Sequence, residues 1–147
     1  MTKTARDILC DLIKRYEGCR LQAYEDCGKG IYTIGYGVTG KDIIKGLVWT
    51  QQQADEALIN LSENTIITAL QSSPILKSQS ESKKAAIADF IYNCGLGNYN
   101  SSTLKKKIDS ARWDEAIIEI KKWNKGGGKV LQGLVTRRQK EADLLLI

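Results

Sequence analysis

Residues 17–37 read EGCRLQAYEDCGKGIYTIGYG, and this stretch decides how the chain folds. Glu17 ends a segment with a helical apolar stripe, and two short β-prone runs then flank a glycine-containing turn. This pattern predicts a helix followed by a β-hairpin. Asp26 lies in the turn. The sequence thus predicts one carboxylate at a helix end and a second in a hairpin. A pair of carboxyl groups is the minimum that acid–base cleavage of a glycosidic bond requires.

The segment before this stretch, residues 4–17, is predicted to be the helix that carries Glu17. Thr4 and Asp7 have the spacing of a capping box, and Gly18 supplies a C-terminal stop. The apolar stripe of this helix consists of Ile8, Leu9, Leu12, Ile13 and Tyr16. The predicted strands cover residues 21–24 and 31–36, on either side of a turn at residues 27–30.

The rest of the chain is predicted to be helical. Thr50 and Gln53 form a second capping box at the start of a long helix that runs to about residue 72. Further helices are expected at residues 80–94, 101–109, 112–123 and 131–146, with turns at 95–100 and 125–129. A small hairpin lobe (about 14–72) and a larger helical lobe (about 73–147) give an α+β fold. We expect one catalytic domain that covers residues 1–147.

Composition narrows the chemistry that the chain can perform. The 22 Lys and Arg residues outnumber the 17 Asp and Glu residues, and the net charge of +5 favours an anionic partner: nucleic acid, a membrane surface or a cell-wall polymer. The chain has no histidine, which excludes His-ligated zinc hydrolases and triads with an imidazole base. Acid–base chemistry must therefore come from Asp, Glu, Lys, Tyr or Cys.

No apolar run approaches the ~20 residues of a membrane span, and the N-terminal segment lacks the apolar core of a signal peptide. The chain is therefore expected to accumulate in the cytoplasm unless something else releases it. Cys10, Cys19, Cys27 and Cys94 show no C-x-x-C pair, so we expect reduced thiols and no metal site. A redox effect through Cys27, which adjoins Asp26, is the alternative.

The two carboxylates are expected to have different roles. Glu17 is the better candidate for the acid, because the negative end of the helix dipole and shielding by Tyr16 both favour its protonated form. Asp26, in an open turn, is expected to stay ionised and to position water, with the Thr33 hydroxyl as a partner. Taken singly, each acid is more typical of a solvated helix end or of ordinary turn chemistry.

Three later segments extend the pattern: FIYNCGLGNYNSSTLKKKI, RWDEAIIEIKKW and GGGKVLQGLVTRRQKEADLLL. Together with residues 17–37 they resemble the bacteriophage-type lysozyme family (endolysins, muramidases) over nearly the whole chain. The signature of that family, a Glu, eight residues, an Asp and then a Thr opening TIGYG, falls on Glu17, Asp26 and Thr33.

The resemblance implies a lysozyme-like fold and hydrolysis of peptidoglycan without a cofactor, for lysis of the host cell. The bond cleaved would be the β-1,4 bond between N-acetylmuramic acid and N-acetylglucosamine. Glu17 would act as general acid, while Asp26 and Thr33 would hold the water that attacks from the opposite face, which inverts the anomeric centre. We expect peptidoglycan as the partner, a monomer, no nucleic acid and no stable membrane insertion.

Two positions depart from the family pattern. Six residues separate Asp26 from Thr33, where the family usually has five, and Val38 replaces a histidine that many relatives carry. A bulge or a longer loop would absorb the extra residue. A slip of register would instead turn Thr33 to the wrong face.

Several other residues are weaker candidates. Tyr92 and Asn93 match positions that line the sugar cleft in the family, although Asn93 is equally typical of a polar residue that caps a helix end. Lys129, Arg137 and Arg138 are candidate charge partners for Glu17. The basic residues of the later helices indicate either solvated faces or attraction to anionic wall polymers (Lys105, Lys106, Lys107, Lys121, Lys122).

Three other functions compete with hydrolysis. A lytic transglycosylase needs one catalytic acid and releases an anhydro product, but it has no use for a water-holding pair such as Asp26 and Thr33. A nucleic-acid-binding module would suit the basic charge, yet that charge is dispersed and no helix-turn-helix pattern is evident. A catalytically inactive relative that binds the wall is the third alternative.

Overall fold

The computed structural model describes residues 3–25, 28 and 30–147, and these form two small sheets and a set of helices. In chain order the elements are α1 (Ala5–Glu17), β1 (Arg20–Glu25), β2 (Tyr32–Gly35), α2 (Gln51–Ser72), a 3₁₀ turn (Pro74–Ser78), α3 (Glu81–Cys94), α4 (Leu96–Ser101), α5 (Thr103–Asp109), α6 (Trp113–Lys121), β3 (Lys125–Gly126), β4 (Lys129–Val130) and α7 (Gln132–Leu144). The α+β class with a small hairpin lobe and a larger helical lobe is confirmed.

Helix α1 begins and ends where its sequence predicts. The Thr4 hydroxyl accepts a hydrogen bond from the Asp7 amide at 3.2 Å, and the Asp7 carboxylate accepts one from the Thr4 amide at 3.4 Å. The helix stops at Gly18, whose φ of +71° is a conformation that side-chain-bearing residues rarely adopt. These two ends fix Glu17 as the last residue of α1.

Strands β1 and β2 form an antiparallel hairpin whose pairing is regular next to the turn. Tyr24 pairs with Thr33 and Glu25 with Tyr32, whereas the register shifts between Arg20 and Tyr24. The irregularity therefore lies in β1, on the side of the Tyr24–Thr33 pair that is away from the turn. The turn that carries the extra residue between Asp26 and Thr33 lies partly outside the described residues. The hairpin continues into a loop that returns beside β1, where the Trp49 amide donates to the carbonyl oxygen of Leu21 at 2.8 Å.

Helix α3 lies at the centre of the helical lobe and packs against α1, α2 and α7. Its residues 85–91 are all buried, and they read AAIADFI. A helix that is buried on every side is expected to be apolar all round, so Asp89 is an exception that needs a partner. Among the described residues, no helix combines the length and the apolar character that crossing a membrane requires.

Residues 95–100 differ from the prediction, because most of this segment belongs to α4 rather than to a turn. Its glycine and asparagine residues favour a turn locally. Tertiary packing outweighs that preference: the Tyr99 side chain is fully buried, and its hydroxyl lies 2.7 Å from the Ser73 hydroxyl. The predicted turn at residues 125–129 is instead largely part of the short pair of strands β3 and β4.

Candidate active site

Glu17 lies at a polar cavity between the end of α1 and the hairpin. The cavity has a volume of about 270 Å³, and the Glu17 side chain retains 29% of its exposure there. Its lining residues come from the junction of α1 with β1 and from the end of β2 (Glu17, Gly18, Cys19, Arg20, Tyr24, Gly35, Gly37). A carboxyl group in this position is open to a ligand and is partly shielded by protein.

Arg137 on α7 holds Glu17 from the inner side. Its Nη1 atom donates to Glu17 Oε1 at 2.7 Å, although the two residues are 120 positions apart in the chain. The guanidinium also lies over the Tyr16 ring, 5.4 Å from its centroid. Of the three cations considered from the sequence, Arg137 is the one that bonds Glu17; Arg138 points into the core instead.

Asp89 binds the same guanidinium from the opposite side. Arg137 Nε and Nη2 donate to the two carboxylate oxygens of Asp89 at 2.9 and 2.8 Å. Burial alone would lower the pKa of Arg137, but the hydrogen bonds and charges of Asp89 and Glu17 outweigh it and raise that pKa. Arg137 therefore stays charged between two carboxyl groups, one buried and one at the cavity.

Glu141 and Arg138 continue this cluster into the core. Arg138 Nη2 donates to Glu141 Oε2 at 2.7 Å; Nε lies 2.6 Å from Oε1 but is not aligned for a hydrogen bond. Burial and the neighbouring Asp89 raise the pKa of Glu141 well above its usual value. Burial also opposes ionisation of Asp89, but hydrogen bonds from Glu141 and Arg137 lower the pKa of Asp89. The pKa values of the two buried acids are thus shifted in opposite directions.

Thr33 lies on the cavity side of the hairpin, while Asp26 lies outside the described residues. Thr33 is 7% exposed and is paired with Tyr24, one of the residues that line the cavity. Side chains of directly opposed residues in an antiparallel pair share one face of the sheet. Thr33 is therefore on the same face as Tyr24, although Thr33 itself is not among the lining residues.

Tyr92 joins the two lobes. Its hydroxyl donates to the backbone carbonyl of Tyr36 at 2.5 Å, and a Cβ atom at Gly37 would lie 2.2 Å from that hydroxyl. Gly37, with a φ of +106°, thus permits both the turn and the close approach. Burial is the main cause that raises the pKa of Tyr92, so the phenol stays neutral.

Asn93 is half-buried, and its Oδ1 atom lies 3.7 Å from the Cys94 Sγ atom. Neither Asn93 nor Tyr92 lines the cavity beside Glu17. In the part of the chain that the structure describes, no group of three or more acidic or cysteine side chains is arranged to hold a metal ion.

The buried acids of the site, Asp89 and Glu141, were missed from the sequence, and Arg138 was considered only as a partner for Glu17. Asp89 stands in an otherwise apolar run, and an acid in that setting is a signal for a buried cationic partner. Glu141 follows Arg138 at the i, i+3 spacing that brings side chains together on a helix. Neither signal says that the cluster reaches Glu17.

The fold and the position of its acid define a lysozyme-like protein. The endolysin from Escherichia coli O157:H7 phage FAHEc1 superposes with a TM-score of 0.81 and 28% identity, and the match covers 99% of this chain and 95% of that one. In sequence, the SAR-endolysin of Bacteriophage PS119 is 38% identical over 131 residues, which are 88% of this chain and 76% of that relative.

A second relative, the endolysin of Acyrthosiphon pisum secondary endosymbiont phage 1, is 38% identical over 137 residues, 90% of this chain and 91% of that relative. The family model for phage lysozyme matches residues 14–141. The chain therefore belongs to the phage lysozyme family, as the sequence resemblance predicted. Membership supports peptidoglycan hydrolysis in cell lysis as its class of activity.

Proposed function

We propose that the chain is a muramidase that cleaves the β-1,4 bond between N-acetylmuramic acid and N-acetylglucosamine with inversion of configuration. Glu17 is the general acid, and Asp26 with Thr33 holds the attacking water. The observation that carries this proposal is the Glu17 carboxyl at a polar cavity between the end of α1 and the hairpin, with Arg137 bonded to one oxygen.

The contact with Arg137 fixes the orientation of the Glu17 carboxyl group. Among the described residues, the hydrogen bond from Arg137 to Glu17 reaches Oε1, so Oε2 is the oxygen that carries the proton to the leaving group. A partly exposed carboxyl held in one orientation meets the requirement for general-acid catalysis.

The hairpin supplies the other half of the proposed mechanism. Inversion requires a base-side carboxylate on the opposite face of the sugar, with carboxyl groups about 6.5–9.5 Å apart so that a water fits between them. Thr33 lies on the face of the hairpin that carries the cavity residue Tyr24, which supports its role as a water ligand. The lobes at about 14–72 and 73–147 act together as one catalytic unit, and we propose that it works as a monomer.

Purified peptidoglycan tests the proposal. Glu17→Gln removes the acidic proton and is expected to lower the rate of hydrolysis at least about 100-fold, which is the range for loss of a general acid. Glu56→Gln, at an exposed site on α2, is the matched control and should retain the wild-type rate. Equal lysis by wild type and Glu17→Gln would remove Glu17 from the mechanism.

The products decide the reaction type. Mass spectrometry should detect reducing muramic acid ends, because water is the nucleophile; anhydro ends would establish a lytic transglycosylase instead. NMR of the initial product should show the α anomer if configuration is inverted, and the β anomer would contradict the proposed water-holding role of Asp26 and Thr33.

A further inference from the structure

We propose that Asp89 is a positioning residue for the acid: it clamps Arg137 through two hydrogen bonds and offsets its charge, so that Arg137 orients Glu17 without stabilising the ionised form of Glu17. This inference rests on the proposed role of Glu17 as proton donor. It concerns a residue in the middle of α3 that does not line the cavity.

The geometry joins three helices at one guanidinium. Arg137 on α7 donates through Nε and Nη2 to Asp89 on α3, and through Nη1 to Glu17 at the end of α1. The planar guanidinium presents its N–H groups in fixed directions, so the bidentate contact with Asp89 also fixes the direction of Nη1. The side chains of Arg137 and Asp89 are 4% and 0% exposed, which leaves them little freedom to rearrange.

The charge of Arg137 explains why its buried partner, Asp89, is an acid. A cation in direct contact with a carboxyl group favours its ionised form, whereas a general acid must hold its proton until the leaving group takes it. Asp89 supplies the opposite charge on the other side of the guanidinium. The pair of Asp89 and Arg137 is then close to neutral, and the Glu17 carboxyl receives a hydrogen-bond donor with a reduced electrostatic bias.

Among the described residues, the other groups around Glu17 do not offset the charge of Arg137 as Asp89 does. Tyr92 on α3 is a neutral phenol, and Tyr24 on β1 lines the cavity beside Arg20, which is a cation. In the core, the carboxyl group of Glu141 is bonded to Arg138 rather than to Arg137, and burial raises the pKa of Glu141. Asp26 lies outside the described residues. Among the described residues that contact Arg137, Asp89 is the buried anion.

Stability alone does not explain the presence of Asp89. Buried ion pairs are often no more stable than apolar side chains of similar volume, because the desolvation of both charges offsets their attraction. The surroundings of Asp89 in α3 are apolar, so a clamp for Arg137 is the property that an apolar residue at position 89 would lack.

The pH dependence of kcat/KM tests the inference. Asp89→Asn keeps the shape of the side chain but removes its charge, so the charge of Arg137 acts on Glu17 without compensation. The alkaline limb of the profile should move down by about one pH unit, and kcat/KM above that limb should fall about tenfold. Arg137→Gln should move the limb in the opposite direction, because the cation is removed. For both variants, kcat/KM is calculated per folded protein.

Glu56→Gln, at an exposed site on α2 outside this cluster, is the control for the loss of an acid, and its limb should coincide with that of the wild type. Coincidence of the Asp89→Asn limb with the wild type would overturn the inference, as would shifts of Asp89→Asn and Arg137→Gln in the same direction. If wild type and Glu17→Gln were equally active, the proposed function itself would fail; an active wild type with an unshifted Asp89→Asn profile would remove only the role of Asp89.

Discussion

The two sides of Arg137 differ in their exposure to solvent: the cavity side is partly exposed, and the other side is buried. On the cavity side, Glu17 is partly exposed and the neighbouring residues come from a single stretch of the chain. On the buried side, Asp89, Glu141 and Arg138 have almost no exposure, and their contacts join α3 to α7. Exposure suits a group that must meet a substrate, whereas burial suits groups that must not move.

This difference predicts unequal costs when a charge is removed. Arg137→Met leaves Asp89 as an uncompensated buried anion, so the free energy of unfolding should fall by about 3–5 kcal/mol. Chemical denaturation measures the loss. Arg6→Met is the matched control: Arg6 also forms a long-range ion pair at 2.9 Å, with Glu63, but both side chains are about half exposed, and the stability should hardly change. Equal effects of the two substitutions would mean that Asp89 is solvated.

The contact between α3 and the segment after β2 depends on Gly37 and on the phenol of Tyr92. Gly37→Ala should destabilise the protein by about 1–3 kcal/mol, because it strains a positive-φ position and places a Cβ atom against Tyr92. Tyr92→Phe should cost about 0.5–1.5 kcal/mol for the lost hydrogen bond. In the double variant the clash is relieved, so the combined loss should be smaller than the sum. Strict additivity would show that the two residues do not compete for the same space.

Local patterns made much of this architecture predictable. The capping boxes at Thr4 and Thr50, the stop at Gly18 and the β-prone runs on either side of the turn each depend on residues within a few positions of one another. Such signals also predicted the end of α1, and therefore the position of Glu17.

The buried side was less predictable because its partners are far apart in sequence. Arg137 is 48 positions from Asp89 and 120 from Glu17, and the sequence left three cations as possible partners for Glu17. Only the packing of α7 against α3 selects among them. For the same reason the helix at Leu96–Ser101 was missed, since its anchor, Tyr99, bonds a residue from the segment after α2.

The pH dependence of stability separates the two acids of the buried cluster. Because the pKa of Glu141 is raised in the folded state, its contribution is present below its usual value of 4.5 and is lost as the pH rises through the higher folded value. The lowered pKa of Asp89 acts in the opposite sense: its contribution is present above 3.8 and is lost as the pH falls.

Glu141→Gln should therefore increase stability relative to wild type as the pH rises, because the amide keeps the neutral form without a proton to lose. Thermal unfolding of both proteins across this pH range measures the difference. Glu56→Gln, on the exposed face of α2, should give a constant offset instead. A wild-type stability that does not decline toward alkaline pH relative to Glu141→Gln would show that Glu141 is ionised in the folded protein.

The smallest expected effect concerns the helix that carries the acid. Thr4→Ala removes the hydroxyl that caps α1, and Thr50→Ala removes the equivalent cap of α2; each should cost about 1 kcal/mol of unfolding free energy. Neither should move the pH profile of activity, because Glu17 is held at the other end of α1 by Gly18 and Arg137. A shifted profile in Thr4→Ala alone would mean that the whole of α1, and not only its last residue, sets the orientation of the acid.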